Sequence, residues 1–209
     1  MAGTEHNVDG AYALKTPADS VRYYRDWASS YDRDFAAAMG YRSPAVVADA
    51  FAALGGKGPV LDVGAGTGLV GEALARAGIA PADGLDNSAD MLAVAAEKGV
   101  YCRTITADLT HPLPLPDNTY SGCVSAGTFT TGHVGPEAFA ELLRVVTPGA
   151  LFVVTVHNAF YEAAGFAPYF AGLADRIAGF RTEPFEIYGA GAEGDHSGDR
   201  GWIVSFCKV

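Results

Sequence analysis

Glycines are concentrated in the segment VLDVGAGTGLVG, residues 60–71, which begins with a short apolar run. A glycine-rich turn between a strand and a helix lets the backbone approach a ligand closely, and the free N–H groups at the helix start favour polar or negative groups. Gly64, Gly66 and Gly68 are spaced G-x-G-x-G. A dinucleotide-binding turn needs a small residue where this chain has Leu69, and a phosphate loop needs a G-K-[ST] that is missing. The pattern therefore suits a nucleoside without a pyrophosphate.

Two carboxylates follow the glycines at equal intervals. Asp86 lies 22 residues after Gly64, and Asp108 lies 22 residues after Asp86. In open parallel sheets a carboxylate about 20 residues after the glycine turn accepts hydrogen bonds from ribose hydroxyls. We therefore expect Asp86 to bind a ribose and Asp108 to accept a hydrogen bond from the exocyclic amine of a base. Both alternatives stay open: Asp86, followed by Asn87, as part of a helix cap, and Asp108 as a turn residue.

Two histidines could accept a proton from a reacting group. His133, in the segment GTFTTGHVGP, follows the fourth predicted strand at the carboxyl edge of the sheet and is predicted as the general base. His157 ends the fifth strand and is predicted to form the opposite wall with Asn158 and Tyr161. The alternative for either histidine is a loop imidazole that bonds only backbone groups.

The elements that must position these residues alternate along the chain. From residue 60 onward, strand-like runs are separated by helical patterns, and this order predicts an α/β fold with a Rossmann-like, seven-stranded, mostly parallel sheet. Ser88 is predicted to cap a helix over 89–98 that ends at Gly99. A second helix is predicted from Pro136 to the segment TPGA, and a third from about Ala159 to Gly179. The segments PFEIYGAG and WIVSFCKV predict an antiparallel hairpin at the carboxyl end.

The segment before residue 60 has a helical pattern. Tyr24, Ala28, Tyr31 and Phe35 form one apolar stripe, and a second stripe follows between residues 47 and 54. We expect these helices to form a cap, residues 1–59, over an α/β core, residues 60–209, within one domain.

Composition limits the class of protein. Apolar residues make up 49% of the 209 residues and charged residues 18%, so the chain is expected to fold into a globular domain. The net charge is −10 and no basic run could follow a phosphate backbone, which argues against nucleic acid as a partner. The stretch ALFVVTV is too short to cross a membrane, and the three separated cysteines suggest neither a metal site nor disulfides. We expect a cytoplasmic protein without a bound metal; its oligomeric state is left open.

The glycine segment also carries an acidic residue two positions ahead of its first glycine. With Asp62, it reads D-x-G-x-G-x-G, and over residues 60–156 the chain resembles the class I S-adenosylmethionine-dependent methyltransferases. The stretches WASSYDRDFAAAMGYRSP and SAGTFTTGHVGPEAFAELLRVVTPGA resemble a narrower group, the methyltransferase-like proteins related to the Williams-Beuren syndrome region methyltransferase.

The resemblance implies S-adenosylmethionine as cofactor, S-adenosylhomocysteine as product, and a set of binding residues. The glycine turn would contact the methionine and ribose parts, the acidic end of strand two the ribose, and the end of strand three the adenine. The predicted cofactor contacts are Asp62, Gly64, Ala65, Gly66, Asp86, Asn87, Met91 on the adenine face, Asp108, Leu109 and Ser125.

Aromatic residues are a further candidate for cofactor binding, because aromatic faces attract a cation such as a sulfonium. Five of the ten tyrosines precede residue 42, and we expect Tyr31 to reach the carboxylate of the methionine part. The alternative is that this stripe only packs the cap onto the sheet. The leading interpretation is methyl transfer by in-line displacement to a small, neutral or cationic acceptor. Two alternatives remain: an NAD(P)-dependent oxidoreductase, and a non-catalytic S-adenosylmethionine-binding sensor or interaction protein.

Overall fold

The computed structural model describes residues 10, 23–25, 27–131, 134–192 and 197–209. Its helices and strands alternate through most of the chain. In order they are a π-helix Asp32–Ala37, α1 Ser43–Ala53, β1 Val60–Val63, α2 Leu69–Arg76, β2 Ala82–Asp86, α3 Ala89–Lys98, β3 Thr104–Thr106, β4 Tyr120–Phe129, a 3₁₀ turn Pro136–Ala138, α4 Phe139–Val145, β5 Val146–His157, α5 Asn158–Ala163, α6 Phe166–Ala171, β6 Ile177–Glu186 and β7 Arg200–Lys208.

The strands form one seven-stranded sheet in the order β3-β2-β1-β4-β5-β7-β6. Strands β1 to β5 pair in parallel, whereas β7 is antiparallel to both β5 and β6. The predicted fold class is therefore confirmed. The strand order reverses at β1, which lies between β2 and β4, and open α/β sheets bind ligands in the crevice at such a point.

Apolar layers cover both faces of the central strands. On one face, α1 and α2 pack through Val47, Phe51 and Leu74 against β1 and β4. On the other, Phe139 of α4 and Phe166 of α6 pack among buried residues of β4, β5 and β7. Strand β1 is buried at every position, as a central parallel strand must be.

Residues at both ends of α3 have the capping roles expected from the sequence. Ser88 is the N-cap of α3, where its Oγ accepts a hydrogen bond from the Met91 N–H at 3.3 Å, and Gly99 ends the helix with a φ of 65°. Both features were predicted. The left-handed conformation at Gly99 is one that side chains disfavour, which explains the stop.

The carboxyl-terminal third differs from the sequence prediction. The expected helix from Ala159 to Gly179 is instead two short helices, α5 and α6, followed by β6 from Ile177. Gly165, with a φ of 71°, separates the two helices, because a left-handed residue cannot continue either one. Strand β5 also begins at Val146, so the segment TPGA belongs to a strand with a shifted register.

The described residues before β1 are largely helical, as predicted. Phe51 of the second stripe is fully buried, whereas Leu54 ends that stripe at 45% exposure. Among the residues that the structure describes, no helix is both long enough and apolar enough to cross a membrane.

Candidate active site

One cleft opens at the carboxyl ends of the parallel strands, where β2, β1, β4 and β5 all deliver residues to its wall. Its lining also includes described residues of the amino-terminal segment and of the stretch after β6. The lining residues include Tyr24, Tyr31, Phe35, Tyr41, Gly64, Ala65, Gly66, Thr67, Asp86, Asn87, Met91, Asp108, Leu109, Gly127, Thr128, Thr130, Thr155, His157, Phe185, Ile187 and Tyr188.

The glycine turn forms the floor of this cleft. Gly64, Gly66 and Gly68 have φ values of 69°, 51° and 90°, a conformation that side chains rarely adopt. A Cβ at Gly64 would collide with the hydroxyl of Thr128, which donates to the Val63 carbonyl at 3.1 Å. A Cβ at Gly66 would meet only the Met91 side chain, at 3.6 Å. The turn is therefore packed from below at Gly64 and open to the cleft at Gly66.

Asp86 links this turn to the start of α3. Its Oδ2 accepts a hydrogen bond from the Gly66 N–H at 2.9 Å, and its Oδ1 accepts one from the Ser88 N–H at 2.8 Å. Burial raises the pKa of Asp86, and the bonds from Ser88, Gly66 and Asn87 oppose that rise. The carboxylate is thus held in a fixed orientation on the cleft wall, with lone pairs left for a ligand.

Asp62 lies behind the turn and does not line the cleft. It is fully buried, and its Oδ2 accepts a hydrogen bond from the Tyr101 hydroxyl at 2.5 Å. The same hydroxyl accepts the Gly71 N–H at 3.1 Å. Burial raises the pKa of Asp62 to about 8, although the Tyr101 bond lowers it. This geometry points to support of the backbone rather than to the ligand contact expected from the sequence.

Ser125 also lies beneath the cleft. It is fully buried, and its hydroxyl donates to the Val63 carbonyl at 2.7 Å, so it braces β1 against β4. A direct contact with the cofactor was expected for Ser125. Successive side chains of a strand point to opposite faces of the sheet, and Ser125 lies inside β4 rather than at its end, which the sequence alone could not show.

Asp108 lines the cleft and also holds its own turn. Its Oδ1 accepts hydrogen bonds from the backbone N–H of Thr110 at 2.8 Å and from the Thr110 hydroxyl at 2.7 Å. Burial acts to raise the pKa of Asp108, but the bonds from Thr110 and the nearby His111 leave it lowered. Asp108 therefore stabilises its own turn, as one of the two alternatives predicted. It also lines the cleft, so it could still accept a hydrogen bond from the amine of a nucleobase. Asn87, Met91 and Leu109, also predicted from the sequence, line the same region.

Tyr31 lies in an aromatic cluster that covers the cleft. Its ring centroid is 4.9 Å from that of Phe35 and 6.0 Å from that of Tyr24, and Tyr41 lies 5.3 Å beyond Phe35. Burial raises the pKa of Tyr24, Tyr31 and Tyr41, so these phenols are neutral near pH 7. The packing role is therefore present, and Tyr24, Tyr31 and Tyr41 also face the cleft.

An ion-pair network, which the sequence did not reveal, joins the amino-terminal segment to the turn. Oδ1 of Asp32 accepts the Thr67 hydroxyl at 2.5 Å, and its Oδ2 lies 2.5 Å from Nζ of Lys98. Lys98 also pairs with Glu72 at 3.1 Å. Asp32 and Lys98 are far from the glycine turn in the chain and belong to no motif, so only the fold brings them to Thr67.

Polar side chains at the ends of β4 and β5 form the far wall. Phe129 of β4 pairs in parallel register with Val156 of β5, so Thr130 and His157 follow as neighbours at the strand ends. Nε2 of His157 lies 3.5 Å from Oδ2 of Asp199. His133, predicted as the general base, lies outside the described residues. Asn158 and Tyr161, expected beside His157, belong to α5 and do not line the cleft.

Comparisons with known proteins bear on this arrangement. Residues 60–149 match the family described as "Methyltransferase domain". Methyltransferase-like protein 27 of Homo sapiens is 35% identical over 156 residues, covering 72% of this chain and 63% of the relative. Residues 60–149 therefore form a methyltransferase domain. The narrower group suggested by the sequence is not established by these matches.

Two further comparisons place this methyltransferase among its relatives. Demethylmenaquinone methyltransferase of Renibacterium salmoninarum is 34% identical over 143 residues, covering 67% of this chain and 59% of that protein. The matches thus span about three fifths of each curated relative. The DhpI–SAH complex (SAH, S-adenosylhomocysteine) has the same fold, with a TM-score of 0.63 at 20% identity, covering 91% of this chain and 95% of that one.

The cleft fits S-adenosylmethionine, the cofactor that the sequence resemblance implies. Gly66 leaves room above the turn, Asp86 presents an oriented carboxylate, and the apolar side chains of Met91 and Leu109 lie near Asp108 on the same wall. A nucleoside needs these three kinds of surface: backbone that can be approached, an acceptor for ribose hydroxyls, and apolar faces for a base. In this methyltransferase all three occur within one cleft.

Proposed function

We propose that this methyltransferase transfers a methyl group from S-adenosylmethionine to a small-molecule acceptor bound in the same cleft. The observation that carries the proposal is Asp86, whose two carboxylate oxygens are held by the Gly66 and Ser88 N–H groups on the wall of the cleft. The matches to methyltransferases support the reaction class. The relative named for demethylmenaquinone, a small molecule, favours a small acceptor here as well.

Each predicted contact has a part in this proposal. Gly64, Ala65 and Gly66 would hold the methionine and ribose parts, Asp86 and Asn87 the ribose, and Met91, Asp108 and Leu109 the adenine. Tyr31 would bond the methionine carboxylate with its neutral hydroxyl. Asp62 and Ser125 would act from behind the turn, by fixing Gly71 in the first turn of α2 and Val63 at the end of β1.

The chemistry places a limited demand on the protein. The cofactor supplies an activated methyl group on a positive sulfur. The chain must orient an acceptor within about 3 to 3.5 Å of that methyl, in line with the bond that breaks, and must exclude water. The buried ring of Phe35 and the partly buried rings of Tyr24, Tyr31 and Tyr41 cover the cleft with apolar surface. This surface would exclude water.

Transfer of a labelled methyl group tests this function directly. The protein is incubated with a metabolite extract and S-adenosylmethionine labelled in its methyl group, and labelled products are identified by mass. We expect one labelled small molecule that disappears when Asp86 is replaced by Ala. Labelled protein in place of a small molecule would contradict the acceptor class, and binding of the cofactor without any labelled product would favour a non-catalytic sensor.

A further inference from the structure

The cleft has two chemically different halves. The carboxylates on its described lining, Asp86 and Asp108, both lie on the wall formed by the ends of β2 and β3. The opposite half is formed by the ends of β4 and β5, by the end of β6 with the stretch after it, and by Tyr41 of the amino-terminal segment. Its described lining residues include no Lys, Arg, Asp or Glu. We call this second half the acceptor half; it includes Tyr41, Thr130, His157, Phe185, Ile187 and Tyr188.

Aromatic and apolar side chains form most of the acceptor half. The Tyr41 and Tyr188 rings lie 6.1 Å apart, and the Tyr41 hydroxyl lies over Gly127 at the end of β4. Phe185 packs over Gly201, the register partner of His157. The apolar wall therefore adjoins the polar ends of β4 and β5.

Thr130 supplies an unexplained polar group at this place. Its hydroxyl oxygen is buried and has no hydrogen-bond partner within the described part of the chain. A buried hydroxyl without a partner is costly, so native proteins rarely keep one without a purpose. Thr155, by contrast, accepts the Gly127 N–H at 3.1 Å. Thr130 thus has hydrogen-bonding capacity that a ligand in the acceptor half would use.

We propose that the acceptor is an uncharged, largely apolar small molecule that carries a hydroxyl group; this proposal rests on the proposed function. Its hydroxyl bonds Thr130 and gives its proton to His157, and its apolar body packs against Tyr41, Phe185 and Tyr188.

The charge pattern selects the hydroxyl among the common nucleophiles. A carboxylate or thiolate would bring a negative charge into a half whose described lining residues have no Lys or Arg to pair with it. An aliphatic amine is protonated at neutral pH and would bring a positive charge where those residues have no carboxylate. A hydroxyl enters neutral, but it must lose its proton during transfer.

We assign the uptake of that proton to His157, which lines the acceptor half beside the end of β4. As the acceptor oxygen bonds the methyl carbon, the carbon–sulfur bond of the donor breaks with its electron pair left on sulfur, and the hydroxyl proton passes to the imidazole. Oδ2 of Asp199, 3.5 Å from Nε2, then faces the imidazolium that forms. Asp199 does not line the cleft, and we assign it a positioning role for the ring.

Three naphthalene derivatives with one body and different polar groups test the acceptor class. Binding of naphthol, naphthoate and naphthylmethylamine is measured by calorimetry with the protein saturated with S-adenosylhomocysteine. We expect naphthol to bind at least about tenfold more tightly than either charged compound, since burying an unpaired charge is costly. Equal or tighter binding of a charged member, or no binding of naphthol, overturns the proposal. Failure of S-adenosylhomocysteine itself to bind would instead count against the proposed function.

The variant Thr130→Val separates a ligand role from a structural one. Valine keeps the shape of the side chain and removes the hydroxyl, so we expect the free protein to be at least as stable while naphthol binds about tenfold more weakly. Thr104→Val, on the exposed face of β3, is the matched control and should change neither quantity. Unchanged naphthol affinity in Thr130→Val overturns the assignment.

Turnover of bound naphthol tests the proton acceptor. We expect His157→Gln to reduce methyl transfer at least about tenfold while the naphthol affinity changes little, because general-base catalysis contributes ~100-fold or more. Asp199→Asn should lower kcat with KM unchanged, a split that a purely structural role would not produce. Naphthol that binds without being methylated by the wild type, or full turnover in His157→Gln, overturns this part.

Discussion

Nζ of Lys98, the last residue of α3, lies 2.5 Å from Oδ2 of Asp32 in the π-helix, across 66 residues of sequence. The opposite oxygen of Asp32 accepts the Thr67 hydroxyl of the glycine turn. The amino-terminal segment is therefore tied to the floor of the cleft by charge and by a hydrogen bond. The Lys98 side chain is 19% exposed, so this pair is less screened than an ordinary surface ion pair.

Removal of the Lys98 charge is expected to release bound cofactor faster. In Lys98→Met the side-chain length is kept and the pair is lost, and Asp32 then faces Glu72 without a cation between them. We expect the dissociation rate of S-adenosylhomocysteine to rise about threefold to tenfold, corresponding to about 1 kcal/mol. Stopped-flow displacement measures this rate. Lys57→Met, on an exposed loop, is the control, and equal rates in both variants would show that the ion pair does not hold the segment closed.

Asp86 is expected to dominate recognition of the ribose. Asp86→Asn keeps the size of the side chain but replaces one acceptor oxygen by a donor, next to the Gly66 and Ser88 N–H groups. We expect S-adenosylhomocysteine affinity to fall more than about tenfold, as for loss of a charge-assisted hydrogen-bond pair. Asp90→Asn, exposed in the first turn of the same helix, should bind normally. If Asp86→Asn binds S-adenosylhomocysteine as tightly as the wild type, Asp86 only links the glycine turn to α3 and does not bind the ribose.

The raised pKa of Asp62 gives a specific pH dependence of stability. The unfolded chain loses the Asp62 proton near its ordinary value of 3.8, whereas the folded protein keeps it up to about 8. The contribution of Asp62 to the free energy of unfolding is therefore complete at low pH. It is lost as the pH rises from 3.8 to about 8. We expect Asp62→Asn, which carries no titratable proton, to gain stability relative to the wild type between about pH 5 and about pH 8.5. Urea unfolding measures this difference, and a difference independent of pH would refute the assignment.

The two glycines of the turn should respond differently to alanine. Gly64→Ala places a methyl group against the Thr128 hydroxyl, so it is expected to destabilise the fold by more than the roughly 1 kcal/mol of backbone strain alone. Gly66→Ala meets no such contact, and its methyl projects toward Met91 at the cleft. It should keep most of its stability and lose cofactor affinity. Thermal unfolding and calorimetry of both variants decide this, and an equal loss of stability in the two would contradict the packing described.

The sequence carried enough information for the architecture and for one wall of the cleft. Hydrophobic periodicity and the residues Ser88 and Gly99 specify helix α3, because capping is a local interaction. The positions of Gly66 and Asp86 followed from their spacing, since the carboxyl ends of parallel strands share one edge of the sheet.

The remainder depends on contacts that spacing does not encode. Tyr101 carries no recognisable motif, yet its hydroxyl joins Asp62 to Gly71 behind the turn. The Tyr101 ring packs against Gly71 and Gly84, where a Cβ would collide with it. These two glycines are the only hint in the sequence that a large side chain packs there. The Asp32–Lys98 pair and the Thr130 hydroxyl depend on tertiary packing alone.

Calorimetric titration with S-adenosylhomocysteine and NADH, side by side on the unmodified protein, tests the central claim most directly. The account predicts that one S-adenosylhomocysteine binds per chain with a dissociation constant of about micromolar order or below, and that NADH gives no measurable heat. Binding of NADH in the absence of any S-adenosylhomocysteine binding would contradict the assignment of this cleft.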